Sequence, residues 1–492
     1  MFDRNTEMDM TEGPLFKKLV AYAIPIMLTG ILQLLFNAAD LIVVGRFAGR
    51  TALAAVGSTT SLTNLLVNVF MMISIGVSVA VAQHYGAHEP DEVERTVSTA
   101  MLMSLLLGAA VCLIGMAACK PMLKAMGSPD DVIDQSVLYM RIYFTGMPAF
   151  MVYNFGASAM RAVGDTRRPM QFLTIAGIIN VILNVITVLY FNLGVAGVAI
   201  ATSVSQYVSA IFVVLSLVKT ESCLHLDVRH MRIHRDKMLA ILKVGLPAGL
   251  QSFVFSISNV VIQSSVNSFG SAVMAGSAAS NNVEGFIYTS MNAVVQSAMA
   301  FTGQNIGARK FQRIGDIVRK SILLQIIIAG SMAVIGCAFS EQLISIYAKG
   351  DAESIAWGVS RLRIISGTYF IMGISDVAVG AMRGMGNSTV PMAISIFGIC
   401  VLRIVWIYTV FAAYRTFEML VVSYPISWIV TLIAQYVCYG IVKRRTIAAM
   451  QSGEKKHIIC LSKKGRHLCR PSVCQKTPGL IRGRSPLCLI RL

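Results

Sequence analysis

The sequence has little charge. Only 13% of its 492 residues are Asp, Glu, Lys or Arg, whereas 55% are hydrophobic. A soluble globule of this length needs more polar surface, so the composition excludes a soluble protein and indicates that the lipid bilayer is the solvent.

Signatures of enzymes and metal sites are also absent from the sequence. It contains no HExxH, GxSxG or P-loop motif and no paired histidine cluster, which disfavours a membrane-embedded enzyme and predicts no cofactor. The ten cysteines include no CxxC pair and no histidine-paired spacing, so neither a disulfide framework nor a zinc site is predicted.

A removable signal peptide is not predicted either, because it would place a short apolar run after a basic start. Residues 1–14 are acidic and are followed directly by a full-length apolar stretch, so we expect segment 1–14 to be retained. The acidic residues are Asp3, Glu7, Asp9 and Glu12.

Apolar stretches recur along the whole chain, and each can cross the roughly 30 Å hydrocarbon core of a bilayer as a helix of about 20 residues. Twelve spans are predicted, which makes the fold an all-α integral membrane protein. The spans are residues 16–44, 52–82, 97–119, 132–156, 170–191, 194–218, 239–267, 272–302, 316–340, 356–380, 390–413 and 417–442.

Lys and Arg concentrate in alternate connections, and short basic loops are retained on the cytoplasmic side. Basic residues cluster in the connection 221–237, in the one after the eighth span and at Lys443-Arg444-Arg445, whereas Asn192-Leu193 and Phe269-Gly270 are short and uncharged. We therefore expect both termini and the connection 221–237 to be cytoplasmic. A charge distribution that follows topology so closely argues against nucleic-acid binding.

The carboxyl-terminal segment 446–492 has a different composition from the spans. Residues 451–492 hold ten Lys or Arg against the single Glu454, together with Gly, Pro and Cys. This composition predicts a disordered basic tail, which anionic lipid could attract. A shifted reading frame explains it equally well, so no function is assigned to the tail.

The halves of the chain repeat each other at an offset of 222 residues. Ala159-Met160-Arg161 returns as Ala381-Met382-Arg383, and Gln83 returns as Gln304 with the offset reduced by one. Six spans per repeat give two parallel lobes, residues 15–220 and 238–445, around a central cleft. Further matching pairs are Arg141 with Arg363, Pro25 with Pro247, Asn37 with Asn259 and, at the reduced offset, Gly86 with Gly307.

Three motifs resemble those of multidrug and toxic compound extrusion (MATE) transporters. They are the segment Pro25–Asp40, the two Ala-Met-Arg-x-x-Gly-Asp/Asn-x-x-x-Pro boxes, and the run Gly303–Ala308. The likeness covers roughly residues 12–445. It implies a V-shaped pair of six-helix lobes in the bacterial inner membrane, acting as a monomer by alternating access and exporting drugs in exchange for protons or sodium ions.

Ionisable side chains inside the membrane are costly and are candidates for function. Asp40 shares one helix face with Gln33 and Asn37, and Phe36 borders that face. With Asn180, Asn184 and Thr202, Asp40 would form a set of hard oxygens able to hold a sodium ion or a proton. Spacing alone leaves ordinary interhelical hydrogen bonding as the alternative for Asn180, Asn184 and Thr202.

The resemblance places the amino-lobe cation site at Asp40, Asn180, Asn184 and Thr202. In the family pattern the position of Asn184 is often an aspartate, so this chain offers one carboxylate fewer. Proton coupling through Asp40 is therefore favoured, and sodium coupling stays open. Pro25, in the same helix, predicts a bend that can act as a hinge.

The carboxyl lobe differs, because Asp40 maps onto Ile262. Its polar candidates are Asn259 and Gln263 on span seven, with Glu284 and Asp376 on spans eight and ten. By resemblance Asp376 is the carboxyl-lobe cation acid of some branches and Glu284 the acid before the Gly-Gln-Asn box. Otherwise these carboxylates cap a helix or pair with Arg. The predicted substrate cavity comprises Gln33, Phe36, Asn37, Asn259, Gln263, Glu284 and Asp376.

The predicted substrates are small lipophilic or cationic organic molecules, since a few carboxylates and an apolar wall suit lipophilic cations. Two alternatives remain at this point: a lipid-linked saccharide flippase of the same superfamily, and a membrane-embedded enzyme. Arg403, near the middle of span eleven, keeps the flippase open because that function usually needs a basic cleft.

Overall fold

The computed structural model describes residues 7–48, 50–125, 130–348 and 351–468, and within them it contains helices and no strand. The α-helices are α1 (Leu15–Val43), α2 (Arg50–Met71), α3 (Ser74–Gly86), α4 (Pro90–Ala125), α5 (Asp130–Thr145), α6 (Met147–Ala162), α7 (Arg167–Val185), α8 (Gly194–Lys219), α9 (Arg235–Asn267), α10 (Ser271–Gly307), α11 (Phe311–Ala338), α12 (Ser340–Tyr347), α13 (Ala352–Gly384), α14 (Thr389–Ser395), α15 (Leu402–Trp406) and α16 (Phe417–Leu468). Short π-helical segments occupy Val44–Ala48, Ile186–Tyr190, Ile396–Val401 and Ile407–Phe411.

Ten helices of the described chain are long and apolar enough to cross a membrane. The two other predicted spans correspond to the pair α5 and α6, which a turn at Gly146 separates, and to α10, which is long but rich in Ser, Ala, Gly and Asn. With these helices the structure fits the predicted all-α arrangement of twelve spans in two six-helix lobes. Helices α1–α8 form the amino lobe and α9–α16 the carboxyl lobe.

Helix α16 continues to Leu468, so residues 446–468 are helical where the sequence predicted a disordered tail. Residues 446–452 include Thr, Ala, Met and Gln and no proline, which allows the last spanning helix to extend beyond the apolar stretch. Residues 469–492 of the predicted tail and residues 1–6 of the amino-terminal segment lie outside the described residues.

The first helix of the amino lobe begins in the core of the carboxyl lobe. Leu19 and Tyr22 of α1 are buried in a cluster with Phe301 of α10, and the Tyr22 ring meets the Phe301 ring edge-on at 5.7 Å between centroids. Ile26 still belongs to that cluster, and a Cβ on Gly30 would lie 2.1 Å from the Thr289 side chain of α10. Only further along the helix does α1 reach its own lobe, where Val43 is part of the amino-lobe core.

Helix α9 makes the reciprocal crossing. Its residue Ile241 belongs to the core of the amino lobe, and the backbones are so close that a Cβ on Gly76 of α3 would lie 2.0 Å from the Ile241 carbonyl oxygen. Gly249 still lies against α2, where a Cβ would be 2.6 Å from the Val69 carbonyl oxygen, and further along the helix Ile262 is part of the carboxyl-lobe core. The two lobes therefore exchange the first turns of their first helices.

All these crossings lie at one end of the helices, which we call the proximal face. It carries the segment 7–14 and the connections 86–90, 162–167, 219–235, 307–311 and 384–389. The opposite end of the helices, the distal face, carries the short turn 191–193 and the connection 268–270.

Candidate ion and substrate site

Three helices of the amino lobe bring the predicted polar cluster together. The Asn184 amide nitrogen donates to an Asp40 carboxylate oxygen at 2.5 Å and lies 3.3 Å from the Asn180 amide oxygen. The Asn180 amide nitrogen lies 3.4 Å from the Thr202 hydroxyl. Asp40 on α1, Asn180 and Asn184 on α7 and Thr202 on α8 therefore form one continuous network.

The oxygen atoms of this network suit a small cation or a proton. Asn184 is 0% exposed, and its amide oxygen is buried without a hydrogen-bond partner among the described residues. An orphaned buried oxygen is costly unless a donor or a cation reaches it. Together with the Asp40 carboxylate, the Asn180 amide and the Thr202 hydroxyl, it supplies the hard-oxygen donors that sodium or a transferable proton needs.

Close helix contact fixes α1 against α7 beside the cluster. A Cβ on Gly177 of α7 would lie 1.9 Å from the Phe36 ring of α1, so the absence of a side chain at Gly177 is what lets the ring lie there. Phe36 is one turn before Asp40 on α1. Phe36, which was predicted to border the polar face, therefore packs on Gly177 and sets the distance between Asp40 and Asn184.

Two π-helical segments begin directly after the cluster, at Val44 after Asp40 and at Ile186 after Asn184. A π segment inserts a residue into the helical ladder and often marks a functional site. Neither segment is predictable from the sequence, because no periodic signal distinguishes five π-helical residues within an apolar run.

The other predicted cavity residues of α1 and α9 are exposed. Gln33 and Asn37 lie on α1 and Asn259 and Gln263 on α9, and the Gln263 amide donates to Asn267 at 2.9 Å. Exposed amides within a spanning helix are costly against lipid, so water or substrate is the environment that suits them. Their placement agrees with a polar cleft wall.

Glu284 is paired with an arginine, the alternative that the sequence left open, and not with the predicted cavity wall. It is 5% exposed and forms a buried ion pair with Arg361 of α13, with 2.9 Å between the Arg361 Nε and a Glu284 oxygen. Ser280 donates to the same oxygen at 2.7 Å, and Arg361 also donates to Asn281 at 2.7 Å. This pair ties α10 to α13 and leaves Glu284 little surface to offer a substrate.

Asp376, the other predicted acid of the carboxyl lobe, is half-buried on α13. Its carboxylate interacts electrostatically with Arg383 two turns further along the same helix, and it accepts no hydrogen bond from the described residues. Arg383 itself donates to Gln251 of α9 at 3.0 Å. Unlike Asp40, Asp376 is therefore an acid without a hydrogen-bond partner among the described residues, and Ile262, at the position equivalent to Asp40, is a core side chain.

Arg403 does not present a basic surface. It is 5% exposed, its guanidinium lies 4.0 Å from the centre of the Tyr424 ring, and its Nε donates to Ser427 at 2.8 Å. Arg361 was not among the residues predicted from the sequence. Its position within the predicted span 356–380 is the signal that could have identified it as the Glu284 partner, because an arginine inside the membrane needs an acidic or polar partner.

The twofold arrangement of six-helix lobes and the intramembrane network of α1, α7 and α8 define a polytopic helical membrane transporter. Comparison with known families agrees. The MatE family model matches residues 25–186 and, separately, residues 247–409. The two matches fall on the two lobes, and the chain belongs to the MatE family.

Named relatives span nearly the whole chain. The "Probable multidrug resistance protein YoeA" of Bacillus subtilis is 28% identical over 439 residues, which are 87% of this chain and 94% of that protein. An "FAD transporter" of Shewanella oneidensis is 24% identical over 449 residues, 88% of this chain and 96% of that protein. A solved structure described as the outward-facing conformation of a multidrug resistance MATE family transporter superposes with a TM-score of 0.83 at 22% identity, covering 92% of this chain and 100% of that one.

Proposed function

We propose that this protein exports small lipophilic or cationic organic molecules across the bacterial inner membrane, in exchange for inward movement of protons or sodium ions. The observation that carries the proposal is the network of Asp40, Asn180, Asn184 and Thr202, which joins three helices of one lobe around an intramembrane carboxylate. The multidrug resistance proteins among the relatives support the substrate class.

In this mechanism the coupling ion enters the amino-lobe network and changes the contact between Asp40 and Asn184. Helix α1 carries that change to the cleft and to the carboxyl lobe, because its first turns lie in the other lobe's core. The exposed amides of α1 and α9 bind the drug, and Asp376 supplies a second acid. The protein acts as a monomer with both termini in the cytoplasm.

Export is tested with the purified full-length protein in liposomes that carry a proton gradient or a sodium gradient, using ethidium as the fluorescent cation. We expect uphill ethidium movement driven by at least one gradient. The absence of ethidium movement under both gradients, in protein that runs as a single species on size exclusion, would overturn the proposal.

The coupling ion is proposed to be the proton, because the network contains one carboxylate. Asn184→Asp adds a second carboxylate next to Asp40 and should give transport a sodium dependence, since paired carboxylates bind hard cations better. Transport rates of wild type and variant at matched pH, with and without sodium, measure this. A wild type driven by sodium alone would reverse the assignment.

Arg403 gives no support to a lipid-linked saccharide flippase. Its guanidinium is covered by Tyr424 and hydrogen-bonded to Ser427, so it offers no open basic surface to a pyrophosphate.

A further inference from the structure

Two glutamines at equivalent positions of the repeat join the lobes at the proximal face. Gln304 of α10 donates from its amide nitrogen to the Ala162 carbonyl at the end of α6, at 2.8 Å. Gln83 of α3 donates in the same way to the Gly384 carbonyl at the end of α13, at 2.9 Å. Each glutamine thus caps the last turn of a helix in the opposite lobe.

These carbonyls need such partners, because the last four carbonyls of a helix have no hydrogen-bond donor within the helix. At the end of α6 the neighbouring carbonyls are also capped from outside that helix. The Arg161 carbonyl accepts from the Tyr22 hydroxyl at 2.9 Å, and the Val163 carbonyl from the Met8 backbone at 3.0 Å. The proximal end of α6 is therefore closed by α1, α10 and the segment 7–14.

Gln304 also holds the amino-terminal segment in place. Its side-chain oxygen accepts from the Met10 backbone at 3.0 Å, and the next residue, Asn305, donates to the Met10 carbonyl at 3.1 Å. Gln304 and Asn305 are both 0% exposed. One glutamine therefore connects the amino lobe, the carboxyl lobe and the amino-terminal segment.

Helix contact at the two glutamines leaves no room for adjustment. A Cβ on Gly86 would lie 2.0 Å from the Gln304 carbonyl oxygen, and a Cβ on Gly307 would lie 1.9 Å from the Gln83 carbonyl oxygen. The backbones of α3 and α10 touch at both points, so moving the lobes apart would separate the glutamines from their carbonyl partners.

We infer that these two reciprocal bonds, Gln83 to Gly384 and Gln304 to Ala162, form a glutamine clasp that closes the proximal face and that must open for alternating access. The inference rests on the proposed transport function for its role. The clasp joins α3 to α13 and α10 to α6, whereas the Asp40 network lies on α1, α7 and α8, so the clasp shares no residue with the proposed ion site.

Cys223 is a natural reporter of the clasp. It lines a cavity of about 430 Å³ at the proximal face together with Asp9, Tyr85 and Gln304, so one wall of the cavity belongs to the clasp. Burial raises the pKa of the Cys223 thiol to about 11, which leaves little thiolate at neutral pH to react with maleimide. Cys223 is half-buried, and separation of the lobes, which removes the Gln304 wall, should increase the exposure of its thiol.

The test uses full-length protein in nanodiscs with Cys223 as the single cysteine, and measures the rate of maleimide labelling at neutral pH. Gln83→Leu and Gln304→Leu should each raise the rate by about two- to tenfold, the effect of one lost hydrogen bond on the closed population. Gln296→Leu is the matched control, because Gln296 lies on α10 and bonds Asn292 of its own helix at 2.8 Å.

Gly86→Ala is the second variant, since it separates α3 from α10 by crowding and leaves both glutamines in place. It should also raise the labelling rate. Equal rates in wild type, both glutamine variants and Gly86→Ala would overturn the clasp. The labelling assay needs no drug or gradient, so the clasp can still be tested if ethidium export fails. Unchanged labelling rates together with intact ethidium export would overturn the clasp and leave the proposed function standing.

Discussion

Asn184 is the residue that organises the amino-lobe network. Its amide nitrogen faces both the Asp40 carboxylate and the Asn180 oxygen. An ionised aspartate at this position accepts hydrogen bonds and donates none, so it would repel Asp40 in the absence of a cation. The asparagine therefore holds the network together when no ion is bound, which is physically consistent with a single-carboxylate, proton-coupled site.

Asp40→Asn tests the coupling role, because the change keeps the size and hydrogen-bonding capacity of the side chain while removing its charge. We expect the variant to fold and to lose uphill ethidium export by at least about tenfold, equivalent to about 1.4 kcal/mol of coupling, while downhill exchange survives. Export under separate proton and sodium gradients is the measurement.

Asp316→Asn serves as the control for Asp40→Asn, since Asp316 pairs with Arg319 at an exposed position of α11. This control should export like wild type. Undiminished uphill export by Asp40→Asn would show that the carboxylate merely orders helices.

The residues of the amino-lobe network could be predicted from the sequence, whereas the Glu284 partner could not. Spacing of three or four residues shows which side chains share a face of one helix. It does not show which helices are neighbours, and the pairing of Glu284 with Arg361 depends on the packing of α10 against α13. The resemblance supplied the neighbours for Asp40, and no motif supplied them for Glu284.

At the scale of the helix pair, contact between α1 and α7 depends on Gly177. Gly177→Ala places a methyl group where the Phe36 ring lies, so the ring must turn away and α1 must shift from α7. We expect the variant to lose about 1–3 kcal/mol of stability, typical of overpacking, and to export more slowly. Thermal denaturation followed by size exclusion, and ethidium export, measure the two effects.

Gly330→Ala is the comparison for Gly177→Ala, because nothing lies within 4 Å of a Cβ at Gly330. It should leave the melting temperature the same or slightly higher, since alanine favours the helix. A Gly177→Ala protein as stable and active as Gly330→Ala would rule out a tight contact between α1 and α7.

Pro25 lies between the start of α1, which is buried against the carboxyl lobe, and Val43 of α1, which is buried in the amino lobe. Ile26, the next residue, is still buried with the carboxyl lobe, so the change of lobe falls beyond the proline. Pro25→Ala restores a backbone donor and stiffens the helix. We expect drug binding to be retained and the export rate to fall; binding by fluorescence anisotropy and export in liposomes separate these effects, and an unchanged rate would contradict the hinge.

At the scale of the whole chain, the predicted orientation puts the proximal face in the cytoplasm. Single cysteines introduced between residues 222 and 236 should therefore resist a membrane-impermeant maleimide added to intact cells and react after the cells are opened. Cysteines at residues 192 and 269 should react in intact cells. The reverse pattern would invert the topology.

The repeat and the apolar spans predicted the twelve-helix, two-lobe fold, because period and length are local properties of the sequence. The exchange of helix ends was not predicted. Leu19 and Ile241 are ordinary apolar residues of their spans, and only the packing of the complete protein decides which lobe buries them.

That exchange has a consequence for biosynthesis. The ribosome completes residues 15–220 before Ile241 is synthesised, so the core of the amino lobe is incomplete until the first turns of α9 are made. In the same way, the start of α1 has no packing partner until α10 is made. The order of synthesis is therefore not the order of folding. The arrangement is that of a domain-swapped dimer whose two subunits have been joined by a linker, and two separately translated halves should find each other because each carries the piece that the other lacks.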